Sequence, residues 1–411
     1  MSLLFKIAWR NVWRHPRRSI LTMAAIAFAA AIQVVMMGIQ TGSYGQMIDN
    51  AVKIHTGHLQ LQHPGYLEDR KMTQVLRDRD GLQALLESRE RVVAVAARVN
   101  APALVSAASN TFGGMLMGVE PRAEAAVSTI AAKVRDGRYL DDADPYGALV
   151  GATLARNLGV AVGDEIVFMG QGADGALAAN LLTVRGTFTS GFSQLDKSGV
   201  YLPLATAQEE FALHGAVHEM VAMVDDFKYI WAVRNTLNEA IREQGIADVT
   251  ALSWDQITPE IKEAIQLDAI SAYIFFLVLL LIVAFGILNT ILMAFFERIR
   301  EFGVMLAMGA TRRQLQRLIY IETMLLVFVA VAAGAVLGST GSLLIQHYGI
   351  HFSGTDELME QWGMSSTVYA RYSILHVMIA SLTVVLISSI TTLSPIMKIG
   401  RINPVRALRH I

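Results

Sequence analysis

The sequence predicts an integral membrane α-helical protein with four transmembrane helices and a large α+β extracytoplasmic domain inserted between the first two. Three observations lead there. Of the 411 residues, 53% are hydrophobic and only 17% charged, and the mean hydropathy of +0.42 exceeds that of soluble chains. The stretches 20–39, 272–296, 324–345 and 372–397 each supply the ~20 mostly apolar residues that cross a ~30 Å hydrocarbon layer, whereas 42–270 does not. The flanking charges also split by sign. Lys6, Arg10, Arg14, Arg17 and Arg18 precede the first stretch, Arg298, Arg300, Arg312, Arg313 and Arg317 lie between the second and third, and Lys398, Arg401, Arg406 and Arg409 follow the fourth. The loop from His347 to Arg371 instead carries Asp356, Glu357 and Glu360. Basic flanks stay inside, so both termini and residues 297–317 are expected in the cytoplasm and 42–270 outside.

The division that follows is a cytoplasmic amphipathic helix at 1–18, a first span at 19–41, the extracytoplasmic domain with its stalk ends at 42–270, and a second span at 271–296. A cytoplasmic segment at 297–317, a third span at 318–346, a short external loop at 347–371, a fourth span at 372–397 and a cytoplasmic tail at 398–411 complete it. In the first segment, Phe5, Ala8, Trp9, Val12 and Trp13 share one helical arc and Lys6, Arg10, Arg14 and Arg17 the next. That pattern suits a helix on the inner membrane surface, with Phe5, Trp9 and Trp13 at headgroup depth and Arg10 and Arg14 toward anionic lipid. The long basic region and apolar run favour an uncleaved anchor over a signal peptide, despite the small residues "AFAAA" at 27–31.

Alternation at Leu59 and Leu61 begins the outer domain as a strand, and strand-like runs recur at 91–105, 114–119, 147–151, 165–169, 180–188, 198–202 and 219–225. Helical runs fall at 152–159, 204–213 and 229–245, so the domain is α+β. Thr258 suits an N-cap and Pro259 the first helical position, after which nothing interrupts a helix before Phe296. Such a helix is ~57 Å long, about twice the hydrocarbon thickness, and is expected to project as a stalk. Its Ile261, Ile265 and Ala269 form a stripe for a neighbour, most simply the extension of the first span past Gln40.

No catalytic, cofactor-binding or metal-binding residue is predicted. "GQGADG" at 170–175 matches G-x-G-x-x-G, but strand-like residues on both sides make it a hairpin loop and not a dinucleotide cradle. His55, His58 and His63 lie close in sequence without an evident acidic or ring-orienting partner, and are read as surface histidines. "GVAVGDE" at 159–165 reads as a Gly-Asp turn. There is no cysteine and no G-x4-G-K-[ST], so neither a Cys-based metal site nor a P-loop is available. Within the spans, Gln33, Asn289, Thr290 and Glu322 are the costly polar groups. Glu322 is expected at the inner interface and Asn289 in contact with another helix. Nothing points to nucleic acid.

The segment "ERIREFGVMLAMGATRRQLQR" at 297–317 is too charged for its surroundings. Gly309 suits a helix C-terminus, and Thr311 with Gln314 has capping-box spacing, so one helix ends and another begins there. The helix before the break puts Glu297, Glu301, Val304 and Met308 on one stripe. Two carboxylates four residues apart repel, a penalty that an external basic partner would relieve, while Val304, Met305 and Met308 offer an apolar surface to a groove.

This segment resembles that between the second and third spans of MacB, FtsX, LolC and LolE type permeases, the mechanotransmission class of ABC transporters. "HLQLQHPGY", "ALVGATLARNLGVAVGDEI", "VRGTFTSGFSQLDKSGVYLPLATAQ" and "INPVRALR" extend the resemblance over the whole chain. In layout it is similar to the lipoprotein-release permeases, although the hairpin at 167–180 is short, glycine-rich and without the proline of their carrier-docking loop. The resemblance implies a porter-like lobe with an inserted second lobe, a bacterial inner-membrane location, and pairing with a second copy or a sibling permease. It also implies a separate cytoplasmic ATPase dimer carrying MgATP, with no cofactor on this chain. Glu297, Arg298, Glu301, Phe302, Gly303, Met308, Gly309 and Thr311 would then form the ATPase-facing element. Phe275, Phe276, Leu279 and Asn289 would face substrate or the second permease. The expected function is lipoprotein release or export of another amphiphile, with a periplasmic carrier, adaptor or lipoprotein as outer partner. The alternative is an FtsX-like regulator that activates a cell-wall hydrolase without transport.

Overall fold

The computed structural model describes residues 3–351, Gly354 and 367–399. Asp356, Glu357 and Glu360, and the tail beyond 399, lie outside the described residues. Along the chain come helices α1 (Leu3–Val12) and α2 (Pro16–Ala51), then strand β1 (Leu59–Gln62) and helices α3 (Tyr66–Asp69) and α4 (Arg79–Glu87). Strands β2 (Val92–Ala107) and β3 (Asn110–Val119), helix α5 (Pro121–Val127), strands β4 (Val134–Gly137) and β5 (Gly147–Gly151) and helix α6 (Ala152–Leu158) follow. Next are β6 (Glu165–Gln171), β7 (Leu177–Phe188), α7 (Ser193–Ser198), β8 (Gly199–Pro203), α8 (Leu204–Glu210), β9 (Glu219–Val224), α9 (Ile230–Glu243), β10 (Thr250–Ser253) and α10 (Trp254–Ile257). The chain then runs through α11 (Pro259–Glu297), α12 (Ile299–Ala307), α13 (Arg312–Tyr348), the short pair β11 (Ile350–His351) and β12 (Thr367–Val368), and α14 (Ile374–Ile399).

Two compact units divide the chain, one formed by 1–44, 265–351 and 367 onward, the other centred on 45–264. Among the described residues, four helices are long and apolar enough to cross a membrane: Pro16–Ile54, Pro259–Ala294, Arg312–Tyr348 and Ile374–Met397. Small residues let two of them approach closely. A Cβ on Gly334 would sit 2.5 Å from the Ala27 carbonyl oxygen, and one on Gly338 would sit 2.9 Å from Val34 Cβ and 3.0 Å from Ala31 Cα. Ser342, one turn further along α13, is also buried. This is small-xxx-small packing, by which helices associate where lipid removes any hydrophobic drive.

Several polar groups inside these helices find partners, which offsets their desolvation cost. Gln33 Nε2 donates to Thr383 Oγ1 at 3.2 Å, and the Thr22 and Thr290 hydroxyls lie 3.1 Å apart. At the other end of the bundle, Tyr44 Oη and Gln40 Nε2 both donate to Asp268 Oδ2, at 2.6 and 3.2 Å, tying α2 to α11 where the stripe through Ile265 and Ala269 was expected to meet it. The Asn289 side chain is exposed on α11.

The second unit is built on one sheet in the order β10-β1-β9-β2-β3-β8-β5-β7-β4, with β6 paired to both β2 and β7. That extra pairing closes β2, β3, β8, β5, β7 and β6 into a ring, because β2 is long enough to serve twice. Its first half pairs with β9, and its second half with β3 and β6. Alternation decides which side chains fill the ring: Ile166 and Phe168 of β6 are buried while Val167 and Met169 between them are exposed. Val105, Leu116, Val150, Leu182, Val184, Val200 and Leu202 belong to the same core. The open arm β10-β1-β9-β2 is covered by α4 and α9, which add Leu82, Leu85, Leu86, Ile230, Val233 and Leu237 to that core.

Every expected strand and helix of this unit is present, and "GQGADG" is the β6–β7 hairpin, with Gln171 opposite Leu177 and Gly175 at φ +83°. Two expectations need correction. His58 is not a surface residue: half-buried, its Nδ1 accepts from the Val224 N–H at 2.8 Å. His63 does have an acidic neighbour, Asp248, at 3.9 Å. The Thr258 hydroxyl donates to the Trp254 carbonyl at 2.9 Å.

The strongest polar feature of this unit was not foreseen. Arg98 Nε and Nη2 grip Glu124 Oε2 and Oε1 at 2.9 and 2.7 Å, with both side chains essentially inaccessible. Glu219, opposite Arg98 on β9, is buried too. Burial raises its carboxyl above the ordinary range, while Arg98 pulls the other way.

Candidate coupling site

The site lies at the end of the helical unit that carries the basic flanks. There α11 stops because Arg298 leaves the helical region, at φ −110° and ψ +11°, and α12 sets off on its own axis. The other end of α12 is closed by Gly309 in the left-handed region at φ +96°, a conformation natural to glycine. Thr311 Oγ1 then accepts from Gln314 N at 3.3 Å, and Gln314 Oε1 accepts from Thr311 N at 2.8 Å, the reciprocal cap that starts α13. The helix end at Gly309 and the start after Thr311 are as expected. The break at Arg298 is not, and it corrects the single stripe from Glu297 to Met308: Glu297 ends α11, while Glu301 and Val304 belong to α12 and Met308 is its C-cap.

A second correction concerns the basic partner of the two carboxylates, which comes from within the chain. Arg14 Nη1 reaches Glu301 Oε1 at 2.7 Å, and Arg18 Nη1 reaches Glu297 Oε2 at 2.9 Å. Arg298 joins the set, with Nε on Glu301 Oε2 at 3.1 Å and Nη1 on Glu322 Oε2 at 3.1 Å. Asn11 Nδ2 donates to the same Glu322 oxygen at 3.2 Å. Partial burial alone would raise the Glu301 carboxyl, but hydrogen bonds from Arg298 and Arg14 more than offset it and hold it below its usual range. Glu322 is therefore a paired group and not a bare interfacial one.

Beneath these pairs is a cavity of about 80 Å³ whose deeper wall includes Thr22, Ile26, Ile287, Thr290, Leu326 and Val327. Phe302 is buried at 2% exposure, its ring 5.2 Å under the Arg298 guanidinium, and Gly303 is buried beside it. They hold α12 down. The outward side of the segment offers Val304, Met308, Gly309 and Thr311, all exposed, with Met308 at 77%.

The remaining expected residues separate into contrasting places. On α1, Ala8 and Val12 are buried whereas Trp9 and Trp13 are exposed and meet edge to face at 6.0 Å, so the single apolar arc is split in two. Phe5 is half-buried and Arg10 exposed, but Arg14 is engaged with Glu301. Phe275 and Phe276 meet edge to face at 6.0 Å on α11, and Leu279 packs on the bundle core near Val283 and Ile287.

An apolar helical unit with an acid-base clasp at its basic end, and a β-rich domain following its first helix, is an arrangement with known relatives. The MacB-like periplasmic core domain matches residues 19–240, more than half of the chain, and the FtsX-like permease C-terminal domain matches 273–404. The chain belongs to the MacB/FtsX-like permease family. Among curated relatives, this permease is 23% identical over 406 residues to the macrolide export ATP-binding/permease protein MacB 1/2 of Paracoccus denitrificans, covering 98% of this chain and 58% of that one. It is 20% identical over 402 residues to the lipoprotein-releasing system transmembrane protein LolC of Xylella fastidiosa, covering 95% and 94%. The chain thus spans under two thirds of the length of the MacB relatives and nearly all of LolC. The periplasmic region of MacB from Actinobacillus actinomycetemcomitans overlays 52% of this permease at 15% identity, with a TM-score of 0.38, too loose to bear on the fold.

Arg18, Glu322 and Asn11 are the members of the site that sequence reasoning passed over as functional. Arg18 had been assigned wholly to topology, and a pair separated by 279 positions leaves no local signal.

Proposed function

We propose that this chain is the permease subunit of an ABC transporter that transmits ATP-driven motion of a separate ATPase to its outer domain, for release of lipoproteins or export of another amphiphile. The observation that carries this reading is α12: a short helix broken from its neighbours at Arg298 and Gly309, pinned inward by Phe302, and presenting Val304 and Met308 outward. An exposed apolar pair on a small, hinged helix suits a groove on another protein. These 411 residues hold no P-loop, which supports a separate subunit as the carrier of MgATP. The basic flanks support a cytoplasmic placement for α12 and both termini in a bacterial inner membrane, with the division into spans drawn above. In the outer domain, the open arm β10-β1-β9-β2 corresponds to the porter-like lobe and the strand ring to the inserted one. The exposed Phe275 and Asn289 of α11 face a second permease copy or the substrate.

Trp9, Trp13 and Arg10 hold α1 at the inner headgroup layer. Likeness to the lipoprotein-releasing LolC supports a lipoprotein substrate, and likeness to MacB, named for macrolide export, supports export of another compound.

Tagged full-length chain purified from its native membrane will bring down an ABC ATPase. Val304→Asp with Met308→Asp will weaken that association by at least ~10-fold, the scale of losing a central apolar anchor, while the size-exclusion profile of the permease stays unchanged. Undiminished ATPase recovery with the double variant would place the contact elsewhere.

A further inference from the structure

We infer that displacement of α12 is carried to the start of the first span by the Arg14–Glu301 pair, while Arg18–Glu297 ties that span to the end of α11, which makes Arg14 and Arg18 positioning residues of the coupling step. The inference rests on the reading that α12 faces the ATPase, and adds the route by which its motion leaves it.

The covalent routes are compliant. Arg298 interrupts the helix between α11 and α12, and Gly309 interrupts it between α12 and α13, so neither neighbour is a rigid continuation. Force applied to α12 therefore passes to whatever its side chains grip. Its grips include Phe302 in the apolar core, Arg298 at its N-cap on Glu322 of α13, and Glu301 on Arg14 just before α2, while Arg18 of α2 holds Glu297 at the end of α11.

These grips differ in exposure, and hence in permanence. The Arg298–Glu322 pair is mostly shielded, at 11% and 19% exposure, and is further held by Asn11. Arg14–Glu301 is open to solvent, at 55% and 41%. A shielded pair acts as an anchor, whereas an exposed one breaks and re-forms readily. Glu301 also divides its two oxygens between Arg14 and Arg298, so a rotation of α12 trades one arginine against the other.

What the clasp moves is also defined. Helix α2 is seated on α13 through Gly334 and Gly338, whereas α11 gives the core mainly the stripe Val283, Ile287 and Ile291 and leaves Ile282, Phe285 and Met293 exposed. A pull on Arg14 and Arg18 acts on a tightly packed helix pair, while a pull through α11 acts on the helix with the freer face. On this reading the turn between α1 and α2, which carries Arg14, is a tie bar between coupling helix and first span.

The chain has no cysteine, so introduced pairs are unambiguous. In reconstituted full-length chain, Arg14→Cys with Glu301→Cys will join through a short bismaleimide. In the complex with the co-purified ABC ATPase, Arg14→Glu or Glu301→Arg alone will lower permease-dependent stimulation of ATP hydrolysis by ~10-fold, an ordinary strength of coupling between sites. The double swap Arg14→Glu/Glu301→Arg will restore at least half of it. Absence of the cross-link, or a double swap as defective as either single change, overturns the inference. A parental chain that associates with no ATPase contradicts the proposed function itself and removes the inference with it, a result distinct from swaps that fail in a complex that forms.

Discussion

Glu124→Ala will destabilise the folded chain by about 3–5 kcal/mol, the cost of leaving a buried guanidinium without its counter-charge. Arg98 and Glu124 are 1% and 0% exposed, and the carboxylate takes two of the arginine's donors in a bidentate pair. Glu219, opposite Arg98, does not replace Glu124, because its own burial favours the neutral acid. Urea unfolding of the detergent-purified full chain, followed by near-ultraviolet circular dichroism, measures the loss. Asp69→Ala, which removes an exposed partner of Lys71, serves as the comparison and will leave the midpoint unchanged. The apolar double change Arg98→Met/Glu124→Leu will recover much of what the single change loses. A Glu124→Ala midpoint equal to that of the parent would mean that the pair is not buried as described.

Gly338→Leu will separate α2 from α13. A Cβ alone would lie 2.9 Å from Val34 Cβ and 3.0 Å from both Cα and the carbonyl oxygen of Ala31, so the obstruction is partly backbone and no rotamer relieves it. Overpacking against flexible side chains costs about 1–3 kcal/mol, and moving a helix costs more. The expected result is loss of the monodisperse detergent-solubilised protein and a fall of many degrees in its thermal midpoint. Gly286→Leu on α11, where a Cβ would meet nothing within 4 Å, will be tolerated. Equal midpoints for the two variants would remove the close α2–α13 approach from the account.

These two positions also show where sequence reading stops. The hairpin at 170–175 and the cap at Thr311 were legible because each rests on a few adjacent residues with local geometric demands. The spans and their basic flanks were legible because bilayer thickness and charge bias act on composition. Arg98 and Glu124 were not, since a charged residue in a strand-like run looks solvent-facing until the chain brings α5 over β2. The ring of strands was hidden for the same reason: β2 reads as one run, and nothing local says that its second half also pairs with β6. At the coupling segment the like-charged Glu297 and Glu301 pointed to an external basic partner, but the partners are Arg14 and Arg18 of the same chain, 287 and 279 residues away. Gly334 and Gly338 sat four apart in an apolar run, a spacing that deserved weight in a membrane helix.

The proposed outer-domain motion, driven by ATP bound to another subunit, is directly measurable. With Leu177→Cys on the exposed β6–β7 hairpin and Tyr273→Cys on α11 spin-labelled in one chain, pulsed dipolar spectroscopy reads their separation in the reconstituted complex. The expected result is a distance distribution that shifts when a non-hydrolysable MgATP analogue is added with the ATPase present, and does not shift when the ATPase is omitted. An identical distribution with and without nucleotide, in a complex that hydrolyses ATP, would contradict transmission through this permease.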